Sequence, residues 1–175
     1  MYRYVNYVKE YGRIMQFNKN KDICIHRWYP FVEGYSKEFI EAIVNEQPQK
    51  VESCLEPFSG SGTTALELAI KGISCISFEV NPFMFTLSKA KLKVSQYKKR
   101  TIRSHISKMK KHIVSLNDNE IDLHSGFSTL IEGKEKKKWN IDREVFIAIE
   151  KIKRAINSLS TTLYKEVYIV CPIYY

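Results

Sequence analysis

Apolar residues recur along this chain with two spacings, and each predicts an element. In residues 37–46, Phe39, Ile40, Ile43 and Val44 fall on one helical face, Ser36 stands as N-cap and Pro48 closes the segment. Residues 51–55 are a short apolar run that reads as a buried strand. After a glycine turn, residues 63–71 regain helical spacing with Leu66 and Ile70 inward, and Gly72 marks the stop. A second strand is expected over residues 73–78, ending at Glu79. Strand, glycine loop, helix and strand in this order make an α/β unit. Its two strands should be parallel, its crossover right-handed, and its ligand site at the strand C-terminal ends.

The second half is patterned differently. Ile102, Ile106, Met109, Ile113 and Leu116 repeat by four, three, four and three, a helical packing stripe with Arg103, Lys108, Lys110 and Lys111 on the more exposed positions. Residues 142–159 carry another stripe, Val145, Phe146, Ile149, Ile152, Ile156 and Leu159, with Lys151, Lys153 and Arg154 nearby. Residues 163–175 are apolar; residues 167–170 read as strand-like, and a helix is the alternative. Residues 134–138 read as a charged loop, and residues 1–22, polar and aromatic with no sustained period, as an arm. The expected organisation is that arm, then one domain over residues 23–175 that includes a basic helical region at about 89–160.

Composition narrows the class. The 175 residues are 44% hydrophobic and 27% charged, ordinary for a globular domain. No apolar stretch approaches the roughly 20 residues that span a bilayer, so no membrane partner is expected and the protein is read as soluble and cytoplasmic. Cys24, Cys54, Cys75 and Cys171 contain no CxxC pair, which argues against zinc or a disulfide framework; they are read as reduced, mostly buried thiols, and no metal is expected. The net charge of +9 is unevenly placed. Residues 1–88 hold nine Lys and Arg against ten Asp and Glu, whereas residues 89–175 hold nineteen against nine. A one-sided basic surface attracts polyanions, nucleic acid foremost, although the same charges also serve to solvate helices.

The chemistry concentrates at Glu56-Pro57-Phe58-Ser59-Gly60-Ser61-Gly62-Thr63-Thr64. Gly60 and Gly62 permit a sharp bend with close approach to a ligand, and the following helix offers free N–H groups. Glu79, 19 residues after Gly60, is placed to accept both hydroxyl protons of a ribose, so the ligand should be nucleoside-like. Residues 60–65 also fit a dinucleotide fingerprint, which keeps NAD in play; a phosphate-binding P-loop would need a Gly-Lys-Ser/Thr that is absent. The anionic start of the loop at Glu56 would attract the cationic amino acid portion of S-adenosylmethionine and repel a pyrophosphate. Asn81-Pro82-Phe83 offers an apolar wall beside Glu79 for an adenine face.

These stretches, LEPFSGSGTTALELAIKG followed by FEVNPF, resemble the cofactor motifs of bacterial DNA amino-methyltransferases, written D-P-F-x-G-S-G-T-T, with Glu56 where Asp is usual. The upstream segment IHRWYPFVEGYS is similar to the one that precedes the glycine motif in that family and packs beside the cofactor. The resemblance covers about residues 24–91. It implies a Rossmann-like methyltransferase fold that binds S-adenosylmethionine through Tyr29, Phe31, Ser36, Glu56, Pro57, Phe58, Gly60, Gly62, Thr63, Thr64, Glu79, Asn81, Pro82 and Phe83. It also implies DNA as partner and methyl transfer to adenine N6 or cytosine N4 of an extruded base.

The family's catalytic motif is Ser, Asp or Asn followed by Pro-Pro and an aromatic residue. The nearest counterpart is Cys171-Pro172-Ile173-Tyr174, in which Pro172 and Tyr174 fit and Cys171 takes the polar slot. The resemblance therefore implies a shortened methyltransferase or one part of a split enzyme completed by a C-terminal polypeptide. A non-catalytic cofactor-binding subunit or remnant of a restriction-modification system is the alternative, and an NAD-binding oxidoreductase a third reading. His26 is read as a packing or hydrogen-bonding residue, and Asp122, four residues before Gly126, as lying near the adenine edge.

Overall fold

A computed structural model of the chain describes residues 6–31, 34–121, 142–160 and 162–170. They fall into two units, one running through Gln96 and the other from Tyr97 to Ile169.

The first unit begins with a short helix, α1 (Val8–Tyr11), and two 3-10 turns, Phe17–Asp22 and His26–Trp28. Phe17 and Asn20 of the first turn are buried. The Asn20 amide donates to the Tyr35 carbonyl at 2.9 Å and its Oδ1 accepts from Lys37 N–H at 3.0 Å, which ties this segment to the start of α2 (Lys37–Asn45). Ser36 caps α2 by accepting from Phe39 N–H. Of the stripe expected on α2, Ile40 is buried but Ile43 is exposed.

Next come β1 (Ser53–Glu56), α3 (Thr63–Ile70) and β2 (Ser74–Ser77), with β1 and β2 parallel, Cys54 opposite Cys75 and Leu55 opposite Ile76. The expected parallel α/β unit is present as a two-stranded sheet among the described residues. The strands are shorter than expected and are not buried. Leu55 and Ile76 share one face, 66% and 63% exposed, while Cys54 and Glu56 turn toward α2 and α3. One covered face leaves every second residue in solvent. The cysteines are not mostly buried thiols: Cys54 and Cys75, on the covered face, are half-buried, and Cys24, outside the sheet, is exposed; all three are free. Cys171 lies outside the described residues.

α3 corrects a second expectation. Leu66 and Leu68 are buried, but Ile70 is 67% exposed at the last turn, where the chain leaves the core. α4 (Pro82–Leu92) opens with Asn81 accepting from Phe83 N–H and Met84 N–H, and Pro82 takes the first turn, where its missing N–H is harmless. Met84, Leu87 and Ala90 of α4 form a buried cluster, against which Trp28, Tyr29, Phe31 and Phe83 pack. A 3-10 turn, Val94–Gln96, ends the unit.

The second unit holds α5 (Lys99–Ser115), α6 (Arg143–Asn157) and α7 (Thr162–Val170), with a 3-10 turn, Asp118–Glu120, after α5. α5 packs on α6. Asp142 caps α6 through Glu144 N–H at 2.9 Å. The face of α6 that is buried carries Phe146, Ala155 and Ile156, and Leu159 just beyond it is also buried. Val145 and Ile149, expected inward, are about half exposed although Ile156, two turns on from Ile149 and on the same side, is buried; the cover over that side is incomplete toward the start of α6. Residues 167–170, read as strand-like, are helical: Tyr164, Val167 and Tyr168 are all buried, a set that shares one side only at helical spacing. His105 of α5 meets that side, with Nδ1 3.1 Å from the Tyr168 hydroxyl and its ring edge-on to Tyr164. No described helix is long and apolar enough to cross a membrane.

Candidate functional site

The glycine bend links the tip of β1 to α3. Gly60 and Gly62 take φ of +50° and +80°, the left-handed region that favours glycine. Gly62 N–H donates to the Ser59 carbonyl at 2.8 Å, which closes the bend. A Cβ on Gly60 would come within 2.9 Å of the Phe31 ring, and one on Gly62 within 2.4 Å of the Ser88 hydroxyl. The close approach that the glycines allow is thus first to the protein's own Phe31 and Ser88.

Two carboxylates stand at the ends of the paired strands. Glu79, after β2, reaches back across the bend: its Oε2 accepts from Gly60 N–H at 2.7 Å and its Oε1 from Asn81 N–H at 2.8 Å. Glu56, at the end of β1, accepts from the Tyr35 hydroxyl at 2.9 Å and from Phe58 N–H at 2.9 Å. The Tyr35 hydroxyl also bonds to the hydroxyl of Thr64. Burial, with Glu56 beside it, pushes the Tyr35 phenol up to about 12, so it stays a donor at any ordinary pH. Each carboxylate oxygen so engaged keeps a second lone pair for a ligand's hydroxyl or ammonium group.

Around these groups the other expected residues divide. Thr63 and Thr64 are buried at the start of α3. Phe83 lies edge-on to Tyr29, ring centroids 5.1 Å apart, and Phe31 packs over Gly60, so the ring-rich segment, the bend and the start of α4 are one assembly. Pro57 and Phe58 are exposed, Phe58 at 84%. Ser36 is fully buried, but its hydroxyl is directed to the Ile14 carbonyl and to Phe39 N–H. Cys171, Pro172 and Tyr174 lie outside the described residues, as do Asp122, Gly126 and residues 134–138. A cavity of about 420 Å³ between α2, β1 and α3 reaches Glu56, Tyr35 and Thr64 at one end and is otherwise mainly apolar.

Beneath the bend are Lys91 and Glu67, which sequence reasoning missed, and His26, which reads from the sequence as a packing or hydrogen-bonding residue and is one. Lys91 is wholly buried, and its Nζ donates to the Ser61 carbonyl at 2.9 Å. Burial alone pulls its ammonium down to about 8. His26 and Glu67 are also buried, with Nε2 2.7 Å from Oε1. Burial holds His26 below the ordinary histidine value against the pull of Glu67. The neutral ring donating from Nε2 fits this, since protonation would leave a buried donor on Nδ1 without a partner. Lys89 and Lys93, four apart, fall on one side of α4, and Lys91, two from each, on the opposite side; the signal for Lys91 is this helical spacing from Leu87 and Ser88, both buried.

The chain is similar to the Type II methyltransferase M.BsoBI of Geobacillus stearothermophilus, 25% identical over 136 residues that make up 75% of this chain and 26% of the relative. It is 29% identical to the Type II methyltransferase M.MvaI of Kocuria varians over 147 residues, 80% of this chain and 31% of the relative. Against the Type II methyltransferase M.AvaI of Anabaena variabilis, identity is 31% over 71 residues, 40% of this chain and 15% of the relative. The chain thus spans less than a third of the length of these relatives. No protein-family model matches it, and no solved structure does.

Proposed function

We propose that this chain is the cofactor-binding part of a DNA amino-methyltransferase with a Rossmann-like fold and S-adenosylmethionine as methyl donor. The observation that carries the reading is the pair of carboxylates, Glu56 and Glu79, at the ends of neighbouring parallel strands on either side of a bend with two left-handed glycines. Similarity to Type II methyltransferases supports it. The donor set suits the cofactor: free lone pairs on Glu79 for ribose hydroxyls, Phe83 beside it for an adenine face, and Glu56 for an ammonium group.

When bound, the cofactor supplies a methyl group already activated on a sulfonium. The chain's own work is then alignment. Glu79 orients the sugar while clipping the bend, and Glu56, itself held by Tyr35, offers negative charge to the amino acid end. Arg103, Lys108, Lys110 and Lys111, all exposed on α5, would meet DNA phosphates. No residue of this chain is assigned to the target amine, at adenine N6 or cytosine N4; Cys171-Pro172-Ile173-Tyr174, which matches the family's motif only at Pro172 and Tyr174, is a degenerate candidate. The proposed setting is the cytoplasm.

A second reading, a cofactor-binding subunit that works with a complementing methyltransferase polypeptide, is favoured by the open sheet face at Leu55 and Ile76. Calorimetric titration with S-adenosylmethionine and with NAD tests the first claim: binding of the former only is expected, and Glu79→Gln should raise its Kd at least about tenfold. Binding of NAD alone would sink the proposal. Labelled methyl groups appearing on DNA only when a C-terminal methyltransferase polypeptide is added would select the second reading.

A further inference from the structure

Burying a lysine is unfavourable unless its charge has a task, and methionine would fill the same space at less expense. Lys91 has a definite place. On one side of α4, Leu87, Ser88 and Lys91 are all buried; Ser88 occupies the room that a side chain on Gly62 would need, and Lys91 grips the Ser61 carbonyl. Together they form the floor of the bend. The titratable groups around this floor are Glu67 of α3 and His26 of the preceding 3-10 turn, joined to each other. Lys91 and Lys37 of α2 both act electrostatically on His26.

We propose that Lys91 is a positioning residue for the cofactor bend, its buried ammonium holding the Ser61 carbonyl inward so that the turn closed by Gly62 N–H and Ser59 keeps the shape a ligand meets. The proposal rests on the cofactor reading above for its ligand, not for its geometry. A hydrogen bond from an ammonium to a carbonyl is stronger than one from a neutral amine. Burial lowers that ammonium to about 8, so it still carries its proton at pH 7.

The test uses the full chain, its Lys91→Met, Lys91→Gln and Lys91→Arg variants, amide hydrogen exchange at residues 60–64, and titration with S-adenosylmethionine, all at pH 7. Lys91→Met should lower the protection of Gly62 about fivefold and weaken binding of S-adenosylmethionine in parallel. Lys91→Arg, which keeps a cation for the Ser61 carbonyl, should restore both toward the wild type. If Lys91→Met fails to fold, Lys91→Gln, whose neutral donor should hold the carbonyl less well than Arg, takes its place in the comparison. Wild-type protection in Lys91→Met, or an equal loss in Lys91→Arg, overturns the inference. Lost protection in Lys91→Met with no binding of S-adenosylmethionine by the wild type would overturn the cofactor reading and leave the role of Lys91 standing.

Discussion

Gly62 shows how much one missing Cβ decides. Its φ of +80° costs any other residue about 1–2 kcal/mol, and the Ser88 hydroxyl fills the space a Cβ would take. Gly62→Ala should therefore lower stability by about 2–4 kcal/mol in urea unfolding. Adding Ser88→Ala removes the hydroxyl nearest that Cβ but leaves the Cβ of residue 88 at 2.8 Å, so it should restore part of the steric share and leave the backbone share, a non-additivity that a double-mutant cycle reads directly. Residue identity of this kind is legible in the sequence: two glycines after an apolar run announce a bend, although that Glu79, read as a ribose ligand, also clasps the bend through Gly60 N–H is known only from the structure. The burial of Lys91 is not, because the code for a solvated lysine and for one folded under a loop is the same letter. Helical spacing from Leu87 and Ser88 is the hint, and the partner, a carbonyl 30 positions away, fixes the place.

At the scale of elements, the start of α2 is legible because capping is a local event, whereas α4 is not expected from the sequence, in which Asn81 reads only as part of a cofactor wall. Ser36, Asn81 and Asp142 each accept from an N–H two or three residues on, within one turn of themselves. Asn81→Ala should cost about 1 kcal/mol and loosen the first turn of α4, seen as faster amide exchange at Phe83 and Met84. Facing was less legible. Ile70, Val145 and Ile149 carry the right chemistry for a core, yet lie exposed, while Ala155 is fully buried. Which side of a helix is covered depends on what it packs against, and that is not written in its own period. The helix over residues 162–170 makes the same point: four apolar residues fit a strand or a buried helix turn, and the arrival of His105 between Tyr164 and Tyr168 favours the helix.

For the molecule as a whole, acid should be the damaging side of the pH scale. Burial lowers both His26 and His105. A histidine so depressed contributes stability that is present above pH 6.5, its ordinary value, and is lost as pH falls from there through the folded value, since the unfolded chain takes up the proton first. Chemical denaturation at pH 7.5, 6.5 and 5.5 should show falling stability over that range. His26→Gln, which keeps a donor for Glu67 and does not titrate, should flatten part of the slope. The open face of the sheet acts at the same scale. With Leu55, Ile76 and, beyond the strand ends, Phe58 and Phe78 largely in water, the purified chain should take up a hydrophobic dye while still folded. It should also sediment more heavily as it is concentrated. A preparation that clumps on storage would then be reporting a well-formed surface in need of cover, and a mild detergent or an added binding polypeptide, rather than a search for refolding conditions, would be the remedy.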